Sequence, residues 1–284
     1  MTMLLAYSTW GMQRTPIDLA VAHCAGLGFD GLELTVIPRW PTDAALLDAA
    51  ARRHIRQLYD DHGIALCGLS GNTPMLVADA ASERRNVETF KGYLDLAAEL
   101  QQPGERLTVT TTSAGLPEEW DAVKHKLVAT FGELATHAAR AGTIVGVEPH
   151  INQALCRPEQ AVWLIEQVDS PALRIQFDIS HFNVQGDPME RVIAQLAPYS
   201  AHTHVKDERG IVPDHQFLVP GEGDMDYVNY LRWMARAGYS GYIAVEISLM
   251  VQARPDYDAL AAATQSYAVV SRAFEEAGIE RKRV

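Results

Sequence analysis

The strongest constraint on the fold is a rhythm. Short apolar runs alternate with longer amphipathic runs, eight times over, along the whole chain. The short runs are Leu4–Thr9, Phe29–Val36, Ile64–Leu69, Arg106–Thr112, Thr143–Glu148, Leu173–Asp178, Ala201–Lys206 and Tyr242–Ile247. Several are rich in β-branched residues, which favour strands. Between them the apolar spacing predicts helices. The first runs from Pro16 to Gly26 or Gly28, and the next three cover Asp43–His62, Ser82–Gln101 and Pro117–Ala141. The last four cover Pro158–Val168, Asp187–Leu196, Asp224–Ala237 and Asp256–Ala277. Ser82 is read as an N-cap, Asp187–Pro188 as a cap and first-turn pair, and Gly63, Gly142, Gly238 and Gly278 as stops. Eight strand–helix units without a linker predict an α/β fold, a single (β/α)8 TIM barrel, with residues 1–284 as one domain. The alternative is a doubly wound open sheet. Its first turn would carry a glycine-rich phosphate loop, and Ser8-Thr9-Trp10-Gly11-Met12 is not one.

Charge and cysteine content narrow the functional classes. The net charge of -12 and pI near 5.2 argue against nucleic acid as a partner. The three cysteines, Cys24, Cys67 and Cys156, are far apart with no CxxC pair, as expected in a reducing compartment. No signal peptide is recognisable at the N-terminus, and no apolar run approaches the roughly 20 residues that span a bilayer. These features lead us to expect a cytoplasmic protein with no membrane contact.

The polar residues point to chemistry. Barrel enzymes carry their reactive groups at the C-terminal ends of strands. Here those ends hold Glu33, Glu148-Pro149-His150, Asp178 with His181, His202 and His204, and Glu246. Strands one, three and four end in uncharged residues. A glutamate after an apolar run, such as Glu148 after Ile-Val-Gly-Val or Glu246 after Ile-Ala-Val, is almost never buried unless paired or metal-bound. His202 and His204 share one strand face, with His204 nearer the strand end. His202 is expected to be a hydrogen-bonded residue beneath it. Three carboxylates with one or two histidines suit a hard or borderline divalent ion. Lys206 and Arg209 follow in a loop, where they would bind substrate, or Lys206 would pair with Asp207 or Glu222. Trp10, Trp40 and Phe182 would wall a pocket or pack in the core. Pro220-Gly221-Glu222-Gly223-Asp224 reads as a turn and helix cap.

Taken in order, these motifs resemble the xylose isomerase-like TIM barrels, the sugar (phosphate) isomerase/epimerase group. The resemblance rests on Gly28-Phe29-Asp30-Gly31-Leu32-Glu33-Leu34, Val147-Glu148-Pro149-His150 and Phe177-Asp178-Ile179-Ser180-His181. It continues through His202-Thr203-His204-Val205-Lys206-Asp207, Pro220–Asp224 and Gly241–Glu246. It implies one divalent metal ion held by Glu148, Asp178, His204 and Glu246: manganese first, with magnesium, cobalt or zinc as alternatives. It implies that Glu148 and Glu246 form an acid/base pair that moves a proton next to a carbonyl through an enediolate. It also implies that His181 touches substrate oxygens. With His150, Glu33, Lys206 and Arg209 added as substrate-binding candidates, the expectation is an isomerase or epimerase of a sugar or keto-sugar. A dehydratase or lyase on the same site is the alternative, and a catalytically silent binding barrel the second. Such proteins are often homodimers or homotetramers. The group's endonuclease branch needs more histidines at strands two and three than this chain has.

Overall fold

The computed structural model describes residues 2–281. The barrel strands are β1 (Leu4–Ser8), β2 (Gly31–Thr35), β3 (Ala65–Ser70), β4 (Thr108–Thr112), β5 (Ile144–Glu148), β6 (Leu173–Asp178) and β7 (Ser200–Val205). A hairpin of β8 (Asp207–Arg209) and β9 (Gln216–Leu218) follows, and β10 (Tyr242–Val245) is the eighth barrel strand. The eight barrel strands pair in parallel around a closed ring, with β10 between β7 and β1. The main outer helices are α1 (Ile17–Leu27), α2 (Ala49–His62), α3 (Ala80–Leu100), α4 (Trp120–Ala141) and α5 (Pro158–Val168). The short α6 (Ser180–Asn183) precedes α7 (Met189–Leu196) and α8 (Tyr227–Arg236). The short α9 (Leu249–Gln252) precedes α10 (Ala259–Ala277). The expected (β/α)8 barrel is the fold observed, with β8, β9, α6 and α9 added at the strand ends. No helix among the described residues is long and apolar enough to cross a membrane.

Period-two alternation along the strands builds two different environments. Outward residues, including Leu5, Tyr7, Leu32, Val109, Val147 and Phe177, join one large core with the helices. The inward set is small or polar. Ala6, Cys67 and Ala244 form a separate cluster. Thr108, Thr110, Gln176, His202 and His204 are all buried. A side chain on Gly146 would strike the Thr108 methyl group, so the interior is already full there. This polar interior carries the functional groups upward to the strand ends.

Helix starts differ from expectation where two caps compete. The Asp43–His62 stretch is broken: a short 3-10 turn spans Ala44–Leu46, and Asp48 then caps α2 by accepting the N–H groups of Ala50 and Ala51. Asp79, not Ser82, caps α3, because its Oδ1 accepts the Ser82 N–H at 2.8 Å. The Asp187 side chain does not cap α7. Asp226, rather than a residue of the Pro220–Asp224 run, caps α8. At α3 the charged cap wins because a carboxylate accepts from orphan N–H groups and also favours the positive helix end.

Candidate active site

A cavity of about 370 Å³ opens over the C-terminal ends of the strands. Glu148, His150, His181, Lys206 and Glu246 line it, together with Phe217 from the hairpin. A second cavity, of about 430 Å³, lies at the opposite end of the barrel beside Asp30, Tyr59 and Ala65. It holds none of the strand-end groups, so the chemistry belongs to the first.

Beneath the pocket floor, Glu33 organises the two histidines. Its Oε2 faces Nε2 of His202 at 2.8 Å and Nε2 of His204 at 2.7 Å. Its Oε1 accepts from Ser8 Oγ at 2.9 Å. Burial alone would raise the Glu33 carboxyl, but the charge and hydrogen bonds of His204 and His202 outweigh it and hold the group far below the usual carboxylate range. Glu33 therefore binds histidines and does not line the substrate pocket. His202 is the deeper, hydrogen-bonded residue. Because Nε2 of His204 is engaged by Glu33, its Nδ1 is turned upward.

That Nδ1 atom looks into a group of carboxylates. It lies 3.6 Å from Glu246 Oε1 and 4.0 Å from Glu148 Oε1. His204 Nδ1 and Glu148 Oε1 are buried without a hydrogen-bond partner. Asp178 spends Oδ1 on Ser180, accepting its N–H at 2.9 Å and its hydroxyl at 2.6 Å. Its Oδ2 faces the Lys206 ammonium at 2.8 Å, and that ammonium also donates to Glu246 Oε2. Ligand atoms of Asp178, His204 and Glu246 lie within 4.8 Å of one another, as do those of Glu148, Asp178 and His181. Buried, mixed in oxygen and nitrogen, and including the unpartnered His204 Nδ1 and Glu148 Oε1, these atoms fit a divalent cation. The Lys206 ammonium, held among them, already marks the place as one that attracts positive charge. Burial alone would lower the Lys206 pKa, but Asp178, Glu246 and Glu148 outweigh it and keep the group fully charged. Lys206 thus pairs with the strand-end carboxylates and not with Asp207 or Glu222.

The carboxylates are not equivalent. Burial first, then the charges of Glu246 and Asp178, push the Glu148 carboxyl up to about 8. Its neighbours on the pocket wall are neutral imidazoles. Burial drives His181 and His150 below the ordinary histidine range. The two rings lie 3.9 Å apart, tilted by 43°, and His181 meets Phe217 edge-on at 5.4 Å. His150 Nδ1 donates to Ile151 O at 2.7 Å, which leaves Nε2 as an acceptor. Both ring nitrogens of His181 are unpartnered, with Nε2 3.7 Å from Glu148.

The hairpin explains several other residues. Asp207 Oδ1 accepts the N–H groups of Glu208 and Met225, and its Oδ2 those of Gly221 and Gly223. This one carboxylate folds the Pro220–Asp224 run back onto the strand end. Gly221 has a φ of 95°, and a Cβ on Gly223 would overlap Asp207 Oδ1. The run is glycine-rich for these two reasons. Arg209 turns away from the pocket: it is exposed, donates to Glu222 O at 2.6 Å and lies 3.4 Å from Asp224. Trp10 lines the pocket and stacks on Trp40 at 4.7 Å, while Phe182 is fully buried against Phe177. The sequence reading missed Phe217, His215, Asp207 and Glu208. One of these follows from the strand period: Lys206 continues the inward face of His202 and His204, so Asp207 had to turn outward toward a loop.

Glu208 is buried at 6% exposure, with Asn183 Nδ2 its one side-chain donor among the described residues, at 2.7 Å. Burial pushes its carboxyl up to about 8. A raised carboxyl pKa means that the native state keeps a proton the unfolded chain has lost. Stability therefore falls as pH rises from about 4.3, the unfolded value, toward about 8. Glu208→Gln keeps an oxygen acceptor for Asn183 and removes the titration. Its urea midpoint is expected to fall less than that of the unmodified protein between about pH 5 and about pH 8. An unchanged slope would clear Glu208 of this role.

Known proteins share the sequence and the architecture. Fructoselysine 3-epimerase of Escherichia coli O157:H7 is 27% identical over 255 residues, covering 87% of this chain and 91% of that enzyme. Inosose dehydratase of Geobacillus thermodenitrificans is 25% identical over 263 residues, covering 81% of each. Among solved structures, the IOLI protein with a bound zinc atom superposes with a TM-score of 0.79 at 20% identity, covering 96% of this chain and 99% of that one. Residues 21–267 match the family profile described as "Xylose isomerase-like TIM barrel", and with most of its length inside that match the chain belongs to this family.

Proposed function

We propose that this protein is a divalent-metal-dependent epimerase or isomerase of a keto-sugar, moving a proton at the carbon beside the carbonyl. The observation that carries the reading is the pair of buried glutamates, Glu148 and Glu246, which line one pocket from strands separated by β6 and β7. Glu148, Asp178, His204 and Glu246 would hold the cation, which when bound supplies Lewis acidity to the substrate oxygens. One glutamate takes the proton and the other returns it, to the opposite face in an epimerase or to the neighbouring carbon in an isomerase. His181 and the Nε2 acceptor of His150 orient hydroxyl groups. Phe217 and Trp10 wall the pocket, and apolar sugar faces pack well on such rings. Among the described residues, Lys206 is the single Lys or Arg lining the pocket, and two carboxylates occupy it. The substrate is accordingly unphosphorylated at the end that enters. The likeness to a named epimerase supports this reading.

The likeness to inosose dehydratase favours a second reading, in which the same proton removal expels a leaving group β to the carbonyl. One experiment separates them. A panel of ketoses and 3-keto-glycosides is incubated in D₂O with Mn²⁺ or Mg²⁺. Solvent deuterium in a recovered epimer or isomer supports the first reading, and an eliminated product the second. If no sugar exchanges and neither metal raises the melting temperature, both readings fail.

A further inference from the structure

The catalytic pocket has a side extension. Its wall at Ile151 and Asn152 is shared with a third cavity, of about 570 Å³, on the same face of the barrel. The shared wall is the loop after β5, and that loop is tightly specified. Gln153 Oε1 accepts the Ala114 N–H at 2.7 Å, Ala154 N–H donates to Ala114 O at 3.0 Å, and His150 N–H donates to Leu155 O at 2.9 Å. Asn152 sits on this framework with a φ of 63°, a conformation that costs energy for a residue other than glycine. The loop is thereby held as a ridge with the exposed Asn152 between the two spaces.

Beyond the ridge, the groove offers two kinds of contact. Ile211 and Val212, at the tip of the β8–β9 hairpin, line it while 59% and 39% exposed. Two large apolar side chains on a loop tip beside a pocket form a surface that gains by being covered. Arg157 supplies the charge. It forms a loose ion pair with Asp187 Oδ2 at 3.8 Å, outside hydrogen-bond range, while Asp187 Oδ1 takes Arg191 at 2.8 Å. The two glutamines of the groove are already used, and the exposed Glu118 adds a carboxylate to its rim. Gln160 accepts the N–H groups of Cys156 and Arg157, and Gln185 donates to the carbonyls of Cys156 and His181.

We infer that this groove binds a substituent carried by the sugar, so that the substrate is a keto-sugar conjugate and not a free monosaccharide. The keto-sugar sits over Glu148 and Glu246. The linkage crosses the ridge at Asn152. An apolar stem lies on Ile211 and Val212, and an anionic or carbonyl oxygen at the far end meets Arg157. The inference rests on the keto-sugar reading above and deepens it.

The test compares three ligands: fructose, a 1-alkylamino-1-deoxyfructose, and the same conjugate ending in a carboxylate. Binding is measured by calorimetry with Mn²⁺ present, and deuterium exchange in D₂O is followed in parallel. The alkyl stem is expected to tighten binding about tenfold over fructose, from the apolar area it covers. The terminal carboxylate should add about fivefold to tenfold. Ile211→Asp should abolish the first advantage and Arg157→Ala the second, with fructose as the internal reference for intact folding in each variant. Equal affinity for all three ligands, or advantages that survive in both variants, would overturn the inference. Tighter conjugate binding without exchange of any ligand would keep the groove and sink the proton-transfer reading, so the two failures are distinguishable.

Discussion

With glutamine at position 148 or 246, interconversion of ketose epimers is expected to fall by about 10²- to 10⁴-fold, the usual worth of a positioned acid or base. Glutamine keeps the shape and one oxygen but cannot take or return a proton. Two glutamates acting in turn predict a finer result. Each variant should still exchange deuterium into one epimer, through the glutamate that remains, while losing conversion to the other. Glu148→Gln carries a second expectation. Glu148 is buried against Glu246 and Asp178 and has its carboxyl raised to about 8 by these surroundings. Neutralising it relieves that crowding, so the metal-free variant should melt higher than the unmodified protein at about pH 8 while being far less active. Chiral analysis of the recovered sugar, with a melting curve beside it, checks both. Full epimerisation by either variant would remove the two-glutamate mechanism.

Glu33→Ala is expected to be the most destabilising single change in the site, by about 3–5 kcal/mol, the cost of stranding a buried ionic partner. The carboxylate faces Nε2 of His202 and His204 and accepts from Ser8, and the variant leaves these groups without an acceptor. Burial alone would lower His204, but Glu33 and then Glu246 outweigh it and push it up to about 10. A raised histidine pKa contributes stability below about 6.5 that is lost as pH rises through about 10. Glu33, with its lowered pKa, contributes above about 4.3, and that part is lost on acidification. The penalty for Glu33→Ala should therefore be largest near about pH 6 and shrink toward about pH 10. Affinity for Mn²⁺ should drop about 10- to 100-fold, since His204 Nδ1 is no longer presented by a fixed ring. Denaturant melts across pH and calorimetric metal titration measure the two effects. A variant as stable as the unmodified protein at about pH 6 would mean that Glu33 is dispensable to the histidine pair.

Much of this architecture could be read from residue pattern, and the misses share a cause. The barrel was legible because its strands alternate so strictly: outward Leu, Val and Phe against helices, inward Thr, Gln, His and Glu. The same alternation brought Glu148, Asp178, His204 and Glu246 to one rim. It stops being informative where regular pairing stops. Arg209 follows His204 closely in sequence, but the hairpin turns it outward. Phe217 and His215 reach the pocket only because β9 pairs antiparallel with β8, and strands of three residues leave no periodic signal. Glu33 was correctly placed at a strand end and assigned to the wrong partner. A carboxylate beside two imidazoles satisfies them before it can satisfy a sugar. The cap at Asp79 was missed because Ser82 is also an acceptable cap, and side-chain charge decided between them.

The Asp207 staple has a consequence for how such a barrel diversifies. It anchors the root of the hairpin and the return loop with four backbone N–H groups, while the tip bearing Ile211 and Val212 is tied elsewhere, by Val212 N–H donating to Val184 O at 2.9 Å. Root and tip are thus held by different contacts. The tip can be lengthened, shortened or exchanged for another sequence without disturbing the strand that presents His204. For an engineer it is a cassette: a place to graft new selectivity onto an unchanged reaction centre.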